Sequence, residues 1–280
     1  MRLTNQKTTR AFTLTDLLLI IAVLLTAVVA LSMLLPSGTD AKVARRISCL
    51  NNLRQISKSF RTLLIDAGPG EYPTSVPATA GGPPGGDPTI SAMCDKGRGE
   101  DAAKLLYQVF LVMSNELNTP KVAYCPAEYA ASHSNATTFA AVAPPGSGQI
   151  PFGRNASANY QVSYFVNAQA NDAYPKAFLV GDHAMGNEAN GDPTVLRPAP
   201  YAYGAYGGSA GCFILGGMAA GGVSTNKPTA SWMSGAQHGK CGNVCLADGS
   251  AATFDISNLR KALAHTEDPH NNQFLFPPTD

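Results

Sequence analysis

The clearest nucleophile pattern in the chain is GGSAG at 207–211, which fits the G-x-S-x-G motif of serine hydrolases. Three histidines that could act as a base follow Ser209: His238, His265 and His270. The motif works only where a buried strand precedes the serine and a helix follows it. Here Gly-rich sequence lies on both sides, and such a match arises easily in a chain with 27 glycines. We therefore predict that the protein is not an enzyme.

Six cysteines offer redox chemistry: Cys49, Cys94, Cys125, Cys212, Cys241 and Cys245. They suit an oxidising compartment, and many complete pairings are open to them. Cys241 and Cys245 lie in a predicted strand, where four residues span about 13 Å, beyond the reach of about 7 Å that a disulfide permits. Each would then need another partner, and Cys212 is a candidate for one of them. The alternative is that several cysteines are reduced and simply buried.

A metal could be sought at His238, Cys241 and Cys245. Their spacing matches no structural zinc pattern, and side chains spread along a strand are poorly placed to hold one ion. The pair Asp182-His183 follows directly after another predicted strand. Its residue types occur in catalytic sites, but nothing else in the sequence indicates catalysis there. We predict no metal and no cofactor.

The overall charge argues against a nucleic-acid function. The net charge is +1 and only 14% of the residues are charged, so no basic surface is expected to hold a phosphate backbone. The chain also contains 27 Gly and 20 Pro, which favours loops and short strands over a helical bundle. We expect a loop-rich domain that binds no nucleic acid.

An apolar run without charge extends from Leu17 to Leu35. As a helix it would be about 28 Å long, close to the hydrocarbon thickness of a bilayer and too long for the apolar part of an ordinary secretory signal. Arg2, Lys7 and Arg10 precede it, which by the positive-inside rule keeps the N-terminus cytoplasmic. We therefore predict a single-pass inner-membrane protein whose globular domain is periplasmic.

The stretch AFTLTDLL at 11–18, behind a short basic leader, resembles the N-terminal processing motif of type IV pilins and type II secretion pseudopilins. The resemblance implies that prepilin peptidase cuts between Ala11 and Phe12 and methylates the new N-terminus. It also implies that Asp16 pairs with the N-terminal amine of a neighbouring subunit, since a charge among apolar helices is tolerable when matched. The family usually has Gly and Glu where this chain has Ala11 and Asp16.

Further motifs resemble pilin-like proteins of planctomycetes and verrucomicrobia, which carry a domain of unknown function behind such a leader. The matching stretches, in chain order, are CLNNLRQI from Cys49, VAYCPAE from Val122, ANYQVSYFVNA from Ala158, AFLVGDH from Ala177 and HGKCGNVCLADG from His238. The last resembles a signature of His, then Asn-Val, then Asp-Gly. A Gly/Ala/Tyr-rich stretch between His183 and His238 has no counterpart.

Major pseudopilins often bind calcium near the C-terminus, and the resemblance raises that possibility here. Acids that could supply oxygen ligands are Asp248, Asp255, Glu267 and Asp268. They form no dense acidic loop of the kind that Ca²⁺ prefers. Asp248 has a simpler role as the first residue of a turn, so we expect no metal there.

Periodicity predicts the elements that must position these residues. Apolar residues at steps of three and four predict an amphipathic helix over 41–65, which continues the apolar run. Further predictions are a helix over 101–117, strands over 122–125, 160–166 and 177–180, a hairpin around Asp248-Gly249 and a helix over 257–264. We predict an α+β fold in which a long N-terminal transmembrane and amphipathic helix packs on a small, loop-rich antiparallel sheet, as in pilins.

The predicted organisation has four parts. They are a cleavable leader at 1–11, a transmembrane assembly helix at 12–35, its amphipathic continuation at 36–66, and a globular domain at 67–280 with an insertion at about 184–237.

The resemblance implies a structural subunit of a type IV pilus-like filament or of a type II secretion pseudopilus. Its partners would be prepilin peptidase, other pilin or pseudopilin subunits, and the inner membrane. After assembly the protein would lie in an extracellular filament. The alternative is a single-span anchored binding or surface protein that never polymerises.

Overall fold

The computed structural model describes most of the chain. The described residues are 14–34, 38–67, 72–77, 89–96, 98–129, 131–183, 185–189, 192–196, 202–203, 211–214, 230–232, 238–269 and 272–278. The helices are α1 (Leu14–Leu34), α2 (Gly38–Ala67), α3 (Ile90–Asp95), α4 (Gly99–Lys104), α5 (Leu106–Val112), α6 (Ser114–Leu117) and α7 (Ile256–Leu263). The strands are β1 (Tyr164–Asn167), β2 (Phe178–Asp182), β3 (Met185–Ala189), β4 (Asp192–Leu196), β5 (Ala202–Tyr203), β6 (Gly211–Ile214), β7 (Ala230–Trp232), β8 (Cys241–Leu246), β9 (Ala251–Asp255) and β10 (Gln273–Phe276).

The predicted membrane span is wrong. Within the described ranges no helix combines the length and the apolar character that crossing a membrane requires. The transmembrane helix at 12–35, the single-pass inner-membrane localisation and the single-span anchored alternative are corrected accordingly. What stands of the predicted fold is an antiparallel sheet with helices.

Helix α2 is amphipathic over the part that faces the sheet. Cys49, Leu53, Ile56 and Phe60 recur at steps of four, three and four, and all four are fully buried. The positively charged residues between them, such as Arg54, lie on the exposed side. This stripe places Cys49 against the sheet, where it takes part in the site described below.

The main sheet has six strands in the order β6-β10-β1-β2-β8-β9, and every neighbouring pair is antiparallel. Its two faces bury different residues, because successive side chains of a strand point to opposite sides. On β10, Leu275 joins the core that contains α2 and α5, while Phe274 and Phe276 join a second core that contains α7 and Trp232. The sheet is therefore covered on both faces.

A smaller sheet follows β2. Its strands β4, β3 and β5 pair in that order, and β7 also pairs with β3. β7 supplies Trp232, whose ring lies against Gly242 of β8. The unmatched stretch between His183 and His238 thus contributes β7 to the second core.

Three local predictions differ from the structure. The strand predicted over 160–166 begins only at Tyr164, because Ala156–Gln161 forms a 3₁₀ helix. The predicted strand over 122–125 is a 3₁₀ turn, Pro120–Ala123, because Pro120 has no amide hydrogen for a ladder and the Thr119 side chain accepts from the amide of Lys121. The predicted helix over 101–117 is divided into α4, α5 and α6, which are joined at Leu105 and Met113.

The C-terminal hairpin and helix are present as expected. β8 and β9 pair in register from Cys241 to Cys245, and Asp248-Gly249 forms the turn between them. Gly249 has a φ of +87°, a conformation that favours glycine. Asp255 ends β9 and caps α7 through its side chain, which accepts from the amide of Asn258.

Gly181 of β2 is needed for a close approach of strands. A Cβ atom there would lie 2.7 Å from the ring of Phe165 and 2.9 Å from the carbonyl oxygen of Asn243. Gly181→Ala is therefore expected to lower the free energy of unfolding by about 1–3 kcal/mol through overpacking. Urea denaturation measures this loss. Gly146→Ala is the comparison, because nothing lies within 4 Å of an added Cβ there and its loss therefore reports only the strain of Ala at a φ of +74°. An unchanged stability of Gly181→Ala would contradict the steric explanation.

Candidate functional site

A buried acid–histidine cluster lies beside the end of β2. We define it as Glu128, His133, Asp182, His183 and His238. Asp182 is the last residue of β2 and His183 follows it, while His238 lies three residues before the start of β8. Glu128 and His133 lie in the loop between the 3₁₀ turn at Pro120–Ala123 and β1. The antiparallel pairing of β2 with β8 brings the first three together.

Glu128 lies between two imidazoles. Its Oε2 is 2.9 Å from Nε2 of His183 and 3.7 Å from Nδ1 of His133, and all three side chains are fully buried. The rings of His133 and His183 are stacked with centroids 5.4 Å apart. The ring of Tyr129 also stacks on that of His183, with centroids 6.0 Å apart. His133 also contacts the carbonyl oxygen of Pro278 through Nε2, at 2.8 Å. The cluster thereby fastens a loop and the C-terminal segment to the sheet.

The pKa of Glu128 reflects these neighbours. Burial by itself raises the pKa of a carboxyl group, but the charge and hydrogen bond of His183 and the charge of His133 hold the pKa of Glu128 well below its ordinary value. Glu128 is therefore ionised at neutral pH.

Asp182 has a different environment. Its Oδ2 accepts a hydrogen bond of 2.6 Å from the amide of Asn243 and lies 3.4 Å from Nε2 of His238. Its Oδ1 is buried and has no hydrogen-bond partner among the described residues. Burial raises the pKa of Asp182 to about 7, with a further contribution from the charge of Glu128, against the lowering effects of Asn243 and His183. This carboxyl group is thus partly protonated at neutral pH.

His238 connects Asp182 to a disulfide. Cys49 of α2 and Cys125 are bonded, with Cα atoms 5.1 Å apart, and Nε2 of His238 lies 3.6 Å from Sγ of Cys125. Burial lowers the pKa of His238 to about 4, and the charge of Arg46 lowers it further while that of Glu128 opposes the shift. The imidazole is therefore neutral at pH 7.

The structure divides the six cysteines into groups. Besides the Cys49–Cys125 pair, Cys94 is also disulfide-bonded, whereas Cys241 and Cys245 are free thiols. Sγ of Cys241 accepts from Arg46 Nη1 at 3.2 Å and contacts the carbonyl oxygen of His238 at 3.1 Å. Burial raises the pKa of Cys245 to about 12, so that this thiol stays protonated. The backbone of Cys212 lies in β6.

The other predicted residues do not join this cluster. Asp248 accepts from the amide of Ser250 within its turn, Asp255 caps α7 and Glu267 forms an ion pair of 2.7 Å with Lys176. Asp268 is buried and accepts from the amide of Asn272. The four acids considered for calcium are therefore engaged separately in the structure.

Three predictions concern the N-terminus and the hydrolase motif. The cleavage residues Ala11 and Phe12 lie outside the described residues, as does Ser209. Asp16 lies in the first turn of α1.

Sequence reasoning missed Glu128 and His133 as site residues. Glu128 belongs to the VAYCPAE stretch, three residues after Cys125. Its closeness in sequence to a cysteine that could form a disulfide was the one available signal. His133 has no flanking pattern. It reaches the cluster because the loop that carries it folds back on β2.

Burial limits what the cluster can do chemically. The side chains of Glu128, His133 and His183 are wholly inaccessible and those of Asp182 and His238 are 2% exposed, so a substrate has no access to them in this conformation. The arrangement can hold protons, fasten the loops and bind an ion. It does not resemble an open catalytic cleft.

Comparison with known proteins adds no relative: no family model, no curated protein and no solved structure matches this chain.

Proposed function

We propose that the protein is a structural subunit that assembles with copies of itself into a pilus-like filament, after maturation by prepilin peptidase. The observation that carries the proposal is the exposure of α1. Ten large apolar side chains of this helix are at least 43% exposed: Leu14, Leu17, Leu18, Leu19, Ile20, Ile21, Val23, Leu24, Leu25 and Val28. A helix that is apolar on all sides is stable in water only when other apolar surface covers it.

The energy available from covering α1 is large. Burying one Leu, Ile or Val side chain contributes about 1.5–3 kcal/mol. Equivalent helices of neighbouring copies offer the same surface, and repetition of one contact along an axis builds a filament. The N-terminal resemblance supports the same partner, since it gives Asp16 the role of pairing with the amine of a neighbour's Phe12.

Substitution within α1 tests this proposal. Leu18→Glu/Leu25→Glu places two charges on one face of α1 and is expected to reduce the filament yield at least 10-fold, because each charge must be desolvated at the helix contact. Leu18→Met/Leu25→Met is the matched control and should assemble normally, since the swap conserves volume. Electron microscopy and light scattering of protein purified from its native host measure assembly.

Two further readouts come from the same preparation. Asp16→Ala should be cleaved normally yet assemble poorly, and the intact mass of the subunit should correspond to a methylated chain that begins at Phe12. A wild-type protein that stays monomeric at high concentration, or a Leu18→Glu/Leu25→Glu variant that assembles normally, would remove the proposed function.

A further inference from the structure

We propose that reduction of the Cys49–Cys125 disulfide converts one end of the cluster into a zinc site with Cys49, Cys125, Asp182 and His238 as ligands. One possible ligand atom from each of these residues lies within 4.8 Å of all the others. They come from α2, the loop before β1, the end of β2 and the segment before β8. The site is independent of the assembly of α1.

The distances around His238 fit a tetrahedral ion. With Zn–S of about 2.3 Å, Zn–N of about 2.05 Å and Zn–O of about 2.1 Å, tetrahedral angles hold sulfur and nitrogen about 3.6 Å apart and nitrogen and oxygen about 3.4 Å apart. In the structure Nε2 of His238 lies 3.6 Å from Sγ of Cys125 and 3.4 Å from Oδ2 of Asp182. Two edges of the coordination tetrahedron are thus already in place.

Asp182 provides a second, independent observation. The residue is 1% exposed, and Oδ1 has no hydrogen-bond partner in the described part of the chain. A buried carboxyl group with an unsatisfied oxygen is costly, and a bound cation would compensate this cost while holding the group in its ionised form. Thiolate, imidazole and carboxylate are all ligands that Zn²⁺ accepts, so this donor set fits the ion.

The conversion requires a reductant, for which a small dithiol is sufficient. The dithiol gives two electrons and two protons to the Cys49–Cys125 bond, which yields two thiols, and the dithiol itself becomes a cyclic disulfide. Zn²⁺ then displaces the two thiol protons to solvent. Two thiolates on one zinc ion stand about 3.8 Å apart, so metal binding and the S–S bond exclude each other.

The consequence is that α2 stays joined to the rest of the domain in both redox states. A site with four protein ligands and no open position is structural rather than catalytic. In the oxidised protein the disulfide joins Cys49 of α2 to Cys125. In the reduced protein the ion would join α2 to Cys125, to the end of β2 and to His238.

Cobalt binding to the reduced full-length chain tests the site. Protein treated with a phosphine reductant, desalted without oxygen and titrated with Co²⁺ should bind one ion per chain, with the visible absorption of tetrahedral cobalt and a thiolate-to-metal charge-transfer band. Zn²⁺ should displace the colour, and the oxidised protein should stay colourless.

Variants identify the ligands. Cys49→Ser, Asp182→Asn and His238→Asn are each expected to weaken binding more than about 100-fold, beyond the loss caused by removing an outer-shell partner. Cys241→Ser is the matched control, because Cys241 also contacts His238, and it should bind Co²⁺ as the wild type does. Loss of binding in Cys241→Ser with retention in Cys49→Ser would overturn the assignment.

If the reduced chain unfolds, circular dichroism can test the site in place of the cobalt titration. Zn²⁺ should then restore the helical signal, since binding to an unformed site stabilises the folded state. Failure of excess Zn²⁺ to restore folding, or a melting temperature of the folded, reduced chain that Zn²⁺ leaves unchanged, would overturn the proposal.

Discussion

Replacing Cys49 and Cys125 together by Ala is expected to lower the free energy of unfolding by about 4 kcal/mol. The disulfide joins residues 76 positions apart, and a loop of that length constrains the unfolded chain strongly. The bond also joins α2 to the loop before β1, and both cysteines belong to the core that contains Leu53 and Phe60. A loss of this size is a large part of the stability of an ordinary domain.

Urea denaturation without reductant at pH 7 measures this loss. Cys241→Ala is the control, because it removes a partly exposed thiol that closes no loop, and we expect it to change the free energy of unfolding by less than about 1 kcal/mol. If the double variant lost no more than this control, the disulfide would have no stabilising role.

The second large effect is expected from Glu128→Gln, which should lower the free energy of unfolding by about 3 kcal/mol at pH 7. The substitution keeps the shape of the side chain but removes the charge beside His183 and His133. Breaking a buried charge pair typically costs about 3–5 kcal/mol, because the remaining partner is left in the interior without compensation.

The effect should depend on pH in a defined direction. The pKa of Glu128 is depressed in the folded protein, so its contribution is fully present above the ordinary pKa of 4.5 and is lost as the pH falls through the depressed value. The difference between wild type and Glu128→Gln should therefore shrink steadily below about pH 4.5. Asp182 works in the opposite sense, since its pKa is raised to about 7 and its contribution is lost as the pH rises through that value.

Glu100→Gln is the matched control for this profile, because Glu100 is exposed on α4. It should change the free energy of unfolding by less than about 0.5 kcal/mol at any pH where the protein is folded. A Glu128→Gln variant whose stability followed that of the wild type from pH 7 to pH 3 would show that the charge of Glu128 has no part in holding the cluster together.

The stretch from His238 to Gly249 fastens the sheet to α2 at both ends. At its start, His238 contacts the sulfur of Cys125, and Asn243 donates from Nδ2 to the carbonyl oxygen of Arg46, at 3.3 Å. At its end, Arg61 donates from Nη1 to the carbonyl oxygen of Asp248, at 2.8 Å. The order His, then Asn-Val, then Asp-Gly therefore has a structural reason, which is the packing of β8 beneath α2.

The sequence alone determined the features that depend on neighbouring residues. The stripe of apolar residues in α2 predicts its buried face, and Asp248-Gly249 predicts the hairpin, because a turn needs little beyond its own residues and its flanking strands. The same local reasoning failed for α1. There the length and composition of the apolar run, which includes Leu17 and Leu25, predicted a membrane span that the described helix does not provide.

Only the tertiary structure decided which distant residues form the site. Glu128 and His183 are 55 positions apart in the chain, and Asn243 lies 61 positions from Asp182. Their contact depends on the pairing of β2 with β8 and on the return of the 125–133 loop to the sheet, and no local pattern encodes either. From sequence spacing, His238 was considered together with Cys241 and Cys245 as a possible set of metal ligands. The folded chain instead turns His238 toward Asp182 and the Cys49–Cys125 bond, because strand order, not distance along the chain, decides which side chains meet.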